Sequence, residues 1–181
     1  VADRLYKVAD KLPEDKYIKI YSAFRSRVKL DELWKEGVAK IENENPNMRR
    51  GEILSLAKFK LTPPNTNMGG HDTGAAIDMA LCDKDGHDLD YGTRYHENSQ
   101  AKSTVVLTAE QKQNRKFLRK LMRSYGFVQQ PSQWWHYSYG DRYWAVYRGK
   151  RRAAIYGSAE KEFENAGYQR VIKTVISSVN K

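Results

Sequence analysis

At 181 residues the chain is of single-domain size, and its 40% hydrophobic, 12% aromatic and 30% charged residues are those of a globular protein with a core rather than a disordered segment. The 32 Lys and Arg against 22 Asp and Glu give a formal net charge of +10, which biases the surface toward anionic partners, an acidic cell-wall polymer among them, without choosing between them. A single cysteine, Cys82, excludes a disulfide framework and any cysteine-rich zinc module, and no run approaches the ~18 apolar residues of a membrane span.

In chain order, Val1 to Leu12 reads as a short helix stopped by Pro13, and the start at Val1 without an initiator methionine suggests a processed or trimmed chain. Lys16 to Ser22 alternates polar and apolar as a half-buried strand does. A helix is expected from about Asp31 to Glu44, broken by Pro46 and Asn47, and another over Glu52 to Lys60, closed by Thr62-Pro63-Pro64. Asn65 to Gly70 is loop, Ala75 to Leu81 reads as a strand with Asp78 in an apolar setting, and Asp83 to Ser103 is too long and polar for a plain connection.

The clearest helix starts at Thr108, whose pairing with Gln111 forms a capping box, carries a stripe of Phe117, Leu118, Leu121, Met122 and Tyr125, and ends at Gly126. The aromatic run Gln133 to Tyr147 predicts two strands around Gly140-Asp141, with a further strand at Arg152 to Tyr156. A last helix, Ala159 to Val179, shows an apolar face of Phe163, Val171, Ile172, Val175 and Val179. Basic residues occur only in short runs such as Lys150-Arg151-Arg152, so the positive excess is spread over the surface.

Two of the four histidines, His71 and His136, have unusual surroundings. Taken singly, each is more often a hydrogen-bonded structural side chain than a ligand. The pair gains weight from Asp78, seven residues beyond His71 across Asp72-Thr73-Gly74, where a glycine lets the chain turn both side chains toward one point. Two imidazoles and a carboxylate suit a catalytic zinc with a fourth position left for water, and a general base beside it has to manage the proton.

At these residues the chain resembles the VanX-type D-alanyl-D-alanine dipeptidases, within the zinc D,D-peptidases and L,D-carboxypeptidases. Gly69-Gly70-His71-Asp72-Thr73-Gly74-Ala75-Ala76-Ile77-Asp78 is similar to the family's Ser-x-His-x-x-Gly-x-Ala-x-Asp signature, and Gln133-Trp134-Trp135-His136 to its Glu-x-x-His. Tyr91-Gly92-Thr93-Arg94-Tyr95, the helix with Gln113-Asn114-Arg115, and Tyr21-Ser22-Ala23-Phe24-Arg25 follow the family between and before them, and the likeness runs from about Tyr17 to Gly157.

The resemblance implies an α+β fold, an antiparallel sheet carrying the zinc site with helices packed around it, in one domain with a C-terminal helical extension from about residue 159. It implies Zn2+ held by His71, Asp78 and His136, with Arg25 beside the oxyanion of the tetrahedral intermediate. The expected activity is zinc-dependent hydrolysis of D-Ala-D-Ala or a related small peptide from the cell wall, which favours the bacterial envelope or the exterior as the place of work.

Three departures bear on that activity. Gln133 stands at the catalytic Glu, and an amide can hydrogen-bond a water but cannot take its proton, so the chain is expected to be a poor catalyst. Gly69 replaces the signature's Ser. His96 falls at the Asp that holds the dipeptide's amino group, with Glu97 as the substitute on offer; without that substitution, strict selection for a dipeptide is lost and longer wall peptides can enter. A carboxypeptidase trimming peptidoglycan stems and a non-catalytic binder of wall peptides are the alternatives; nucleic-acid binding rests on charge alone and lacks a motif.

Overall fold

A computed structural model describes residues 1–61, 63, 70–97, 106–149 and 153–159 of the chain. Helix α1 (Ala2–Ala9) leads to strand β1 (Tyr17–Ser22), then to helices α2 (Arg27–Glu44) and α3 (Arg50–Lys60), a 3-10 turn at His71–Thr73 and strand β2 (Ala76–Cys82). Helix α4 (Ala109–Ser124), strands β3 (Val128–Gln129) and β4 (His136–Ser138) and helix α5 (Arg142–Arg148) follow. The strands form a four-stranded sheet in the order β1-β2-β4-β3, every pairing antiparallel, which with the helices gives the expected α+β fold.

Strand side chains alternate between faces. Ile77, Met79 and Leu81 of β2 and Tyr137 of β4 belong to a core cluster with Val8 of α1 and Leu118 and Met122 of α4. Asp78 and His136 fall on the opposite parity. A smaller cluster, Val38, Ile41, Ile53 and Ala57, joins α2 to α3.

The helix starts follow local capping chemistry. Thr108 Oγ1 accepts the Gln111 N–H while Gln111 Oε1 accepts the Thr108 N–H, the reciprocal pair expected from sequence. Helix α2 begins at Arg27, four residues before the expected Asp31, because Ser26 Oγ accepts the Lys29 N–H and caps it there. Gly126, with φ of +87°, turns the chain out of α4 as expected of a glycine after a helix.

Two expected strands are corrected. The second half of the Gln133–Tyr147 run is helix α5, not a strand: Asp141 Oδ1 accepts the Trp144 N–H and starts a helix whose aromatic and β-branched residues had suggested a sheet. Residues 153–156, the described part of the Arg152–Tyr156 strand, pair with no strand, and the N–H groups of Ile155 and Tyr156 both donate to Gly140 O. Short β3, which pairs with β4, was not expected. All but Ala159 of the helix expected at Ala159–Val179, and all but Gly70 of the Asn65–Gly70 loop, Gly69 included, lie outside the described residues.

Gly70 precedes the first histidine at a point of close packing, since a Cβ built there would fall 2.0 Å from Asp141 Oδ2 and 2.8 Å from Ala76 Cβ. Gly51, inside α3, has open space around it. Gly70→Ala is therefore expected to lower stability by about 1–3 kcal/mol through overpacking. Gly51→Ala should raise it by roughly 0.5–1 kcal/mol through helix propensity. The shift of the urea midpoint in each variant checks both signs.

Candidate metal centre

The antiparallel register sets Asp78 directly opposite His136 on neighbouring strands. His71 arrives from the 3-10 turn just before β2, where the left-handed Gly74 (φ +65°) redirects the chain into the strand. All three residues are buried, at 7%, 3% and 7% exposure for His71, Asp78 and His136, so their contacts decide whether the burial of charge is tolerated.

Both imidazoles aim a nitrogen at one carboxylate oxygen. His136 Nδ1 lies 2.9 Å and His71 Nε2 3.3 Å from Asp78 Oδ1, and the rings meet edge to face at 5.0 Å. The outward nitrogens are held too: His71 Nδ1 sits 2.6 Å from Ala23 O, and His136 Nε2 3.3 Å from Ser138 Oγ. A carbonyl oxygen only accepts, so His71 Nδ1 must carry its proton, and in the neutral ring Nε2 then turns a lone pair toward Asp78 Oδ1. Two acceptors facing each other need a cation between them.

That cation is a proton on His71 or a metal. Burial lowers the His71 pKa from the usual 6.5, against the opposing pull of Asp78, and so disfavours the proton. Burial pushes the Asp78 carboxyl up, but the two imidazoles beside it, His136 foremost, hold it well below the usual range. Three ligand atoms within 4.8 Å of one another, two imidazole nitrogens and one carboxylate oxygen, fit a divalent metal, and the outer bonds to Ala23 and Ser138 are those that orient metal-bound histidines. A second trio of donors, Asp83, Asp85 and His87, is largely exposed, and Asp83 Oδ1 is taken up by the N–H groups of Asp85 and His87.

The other oxygen of Asp78 faces Arg25 and Tyr95. Arg25 Nη2 donates to Oδ2 at 2.8 Å and the Tyr95 hydroxyl does so at 2.9 Å, while Arg25 Nε is fixed by Ser22 Oγ at 2.7 Å. A bulge between Ile20 and Ser22 makes this possible, because the slip in register brings Ser22, not Tyr21, opposite Asp78. Burial raises the Tyr95 pKa, so the hydroxyl stays a donor. Tyr95 stacks on Tyr21 at 4.2 Å, and Tyr21 donates to Asp88.

Gln133 is half-buried in the turn before β4, three residues ahead of His136, with its N–H on Gln130 O at 3.1 Å. His96, the non-glycine residue with positive φ (+69°) among those described, sets its ring against Tyr95 at 4.0 Å and parallel to Trp135 at 6.4 Å. Glu97 is exposed, and its carboxylate accepts the Arg94 N–H within its own turn. Sequence reasoning assigned no part to Tyr95, Ser22 or Ser138. Ser138 was within reach of it, since residues i and i+2 of a strand share a face; Ser22 was not, because no residue type announces the bulge.

His71→Ala or His136→Ala should abolish bound metal, whereas Gln133→Ala should keep most of it. Tyr95→Phe, which removes a hydrogen bond to a ligand, should weaken metal binding by about 10- to 100-fold. As burial lowers the His71 pKa, protons displace the metal only below the ordinary 6.5, so metal retained at neutral pH should be released progressively under more acidic conditions. Metal analysis after dialysis, for each variant and at stepped pH, reads all of these.

Residues 14–152 match the peptidase M15 family, described as D-ala-D-ala dipeptidase. A D-alanyl-D-alanine dipeptidase of Synechocystis sp. (strain ATCC 27184 / PCC 6803 / Kazusa) is 34% identical over 119 residues, covering 55% of this chain and 46% of that protein. One from Escherichia coli (strain K12) is 41% identical over 70 residues, or 37% and 36% of the two chains. One from Enterococcus faecalis (strain ATCC 700802 / V583) is 31% identical over 104 residues, or 55% and 48%. The matches thus span about half or less of the length of these relatives. Among solved structures, VanYB in complex with D-alanine-D-alanine superposes with a TM-score of 0.50 at 18% identity, over 76% of this chain and 68% of that one, a likeness of fold. The chain belongs to the D-ala-D-ala dipeptidase family.

Proposed function

We propose that the chain is a zinc-dependent peptidase of D-Ala-D-Ala or related cell-wall peptides, with hydrolysis impaired by Gln133. The observation that carries this reading is the pair of imidazole nitrogens directed at one oxygen of buried Asp78. When bound there, zinc polarises the scissile carbonyl and lowers the pKa of water. His71, Asp78 and His136 hold it, and the remaining work falls to side chains around them.

Arg25 is the candidate for the carbonyl oxygen. Its Nε and Nη2 are committed to Ser22, Asp78 and Tyr95, which fixes the plane of the guanidinium, and Nη1 has no partner among the described residues. A fixed cation with a donor to spare stabilises negative charge developing on an oxyanion without having to reorganise. Gln133 occupies the position of the general base: its amide can orient water but has no basic atom to receive the proton.

His96 bears on substrate length. Although His96 is exposed, desolvation of one side of its ring, reinforced by Arg25, lowers its pKa from the usual 6.5, and a neutral imidazole binds an ammonium more weakly than a carboxylate would. Glu97, exposed and engaged with Arg94, does not readily supply the missing charge. A peptide whose chain continues past that point is therefore admitted, which favours trimming of stem peptides as the second reading. The names of the relatives, D-alanyl-D-alanine dipeptidases, support D-Ala-D-Ala as the moiety recognised in both readings.

Gln133→Glu in the presence of zinc should raise hydrolysis by about 10²- to 10⁴-fold. Release of alanine from D-Ala-D-Ala identifies a dipeptidase, and release from a pentapeptide or tetrapeptide stem identifies a carboxypeptidase. No gain on any of these, with zinc bound, would leave a binder of wall peptides. In the Gln133→Glu background, Arg25→Ala should lower kcat by about 10²- to 10³-fold if the guanidinium holds the oxyanion.

A further inference from the structure

A cavity of about 240 Å3 lies apart from the metal centre, between α4 and the turn that joins β3 to β4. Lys112, Arg115, Lys116 and Arg119 line one side, and Gln129 and Trp134 belong to the other. The four cations fall at i, i+3, i+4 and i+7 and so share one helical face. The pairs Lys112/Lys116 and Arg115/Arg119 set like charges one turn apart, which weakens a helix rather than supporting it.

Helix α2 treats its lysines differently: Lys29, Lys35 and Lys40 are paired with Glu32, Asp31 and Glu44. Among the described residues no carboxylate is within ion-pair reach of Lys112, Lys116 or Arg119. Asp90, whose charge acts on Arg115, already accepts from the Gly92 N–H and from Gln111 Nε2. Arg115 is buried and anchored by Nε to Tyr91 O at 2.7 Å, giving a rigid floor.

The opposite wall is equally fixed. Gln129 Nε2 donates to Trp134 O at 2.7 Å and Gln130 Nε2 to Ser132 Oγ at 2.9 Å, which ties the turn to itself. The Trp134 indole N–H donates to Thr93 Oγ1, and the ring stacks on Tyr91 at 4.1 Å. With one face covered in this way and only 3% exposure, Trp134 is an apolar wall and not a platform for stacking bases. Lys112, Lys116 and Arg119, all exposed, carry more positive charge than a single carboxylate would balance, whereas a phosphate, with up to two charges and several acceptor oxygens, meets lysines and a guanidinium group together.

We propose that this cavity binds a phosphate group of an anionic ligand, at a site separate from the metal centre and independent of the peptidase reading. The phosphate can belong to a small molecule or be one link of a phosphate polymer; the chemistry at the pocket is the same.

The test is a titration of the zinc-loaded, 15N-labelled chain with inorganic phosphate and with linear polyphosphate, followed by NMR. Saturable shifts of the Trp134 indole N–H and of the amides of residues 115–119 are expected, and Lys116→Gln/Arg119→Gln should weaken them by at least about tenfold. The control Lys40→Gln/Lys58→Gln, with the same change in net charge, should leave them unaltered. The Lys116→Gln/Arg119→Gln variant relieves both like-charge pairs, so its melting temperature should not fall, and lost binding then reports the pocket rather than the fold. Polyphosphate binding tighter than phosphate at equal phosphate concentration identifies a polymer link; equal binding identifies a small ligand. Shifts confined to His71 and His136, equal weakening in the control, no saturation, or tighter binding of single-stranded DNA than of polyphosphate would each overturn the proposal.

Discussion

A carboxylate buried in the second strand from one edge of a small sheet has to be neutralised locally, because an ion taken out of water into a protein interior costs several kcal/mol unless it is compensated. Asp78 meets that demand by dividing its oxygens. Oδ2 is satisfied from within the chain by Arg25 and Tyr95, whereas Oδ1 faces two imidazole nitrogens, one of which has its proton committed elsewhere, to Ala23 O. The first half of the arrangement is complete and rigid. The second is left for a cation to complete, and this asymmetry suits Asp78 to holding a metal as well as to a structural ion pair.

The sheet supplies the precision. Opposition of Asp78 and His136 follows from antiparallel register, and a slip of one residue would send one of them into the core occupied by Met79 and Tyr137. Packing of Ile77, Met79 and Leu81 against α1 and α4 therefore fixes the metal-facing side from behind. Gly70 closes the arrangement from the other direction, since its missing side chain lets the segment leading into His71 lie against Asp141 and Ala76. Hydrophobic burial and ligand geometry are two consequences of the same pairing.

Much of this was legible in the sequence, for unequal reasons. The capping pair Thr108/Gln111, the strand around Asp78 and the grouping of His71, Asp78 and His136 rest on local rules or on spaced motifs, and local rules survive folding. Helix α5 did not read correctly because Tyr143, Trp144, Val146 and Tyr147 have strong sheet preference, and one capping bond from Asp141 outweighed it. The bulge that brings Ser22 to Arg25 was not legible, because a register shift is a property of a strand pair. The cationic face of α4 was read as part of a dispersed surplus; its residues converge only once α4 is packed against the turn after β3.

In the proposed reading, metal holding and proton transfer fall to different residues, which the fold holds in different ways. Asp78 and His136 are strand residues whose backbones belong to the sheet, and His71 O accepts the N–H of Arg25, so disturbing them disturbs the fold around them. Gln133 sits in a turn held by its backbone and by the bonds of Gln129 and Gln130, and none of these requires its side chain. Glutamine and glutamate have nearly the same shape, so exchange at this position alters the ability to accept a proton while leaving packing intact. In that reading the ligands are embedded in the pairing of the sheet whereas the side chain of residue 133 is not, so exchange at this position changes proton transfer without disturbing the metal-facing side.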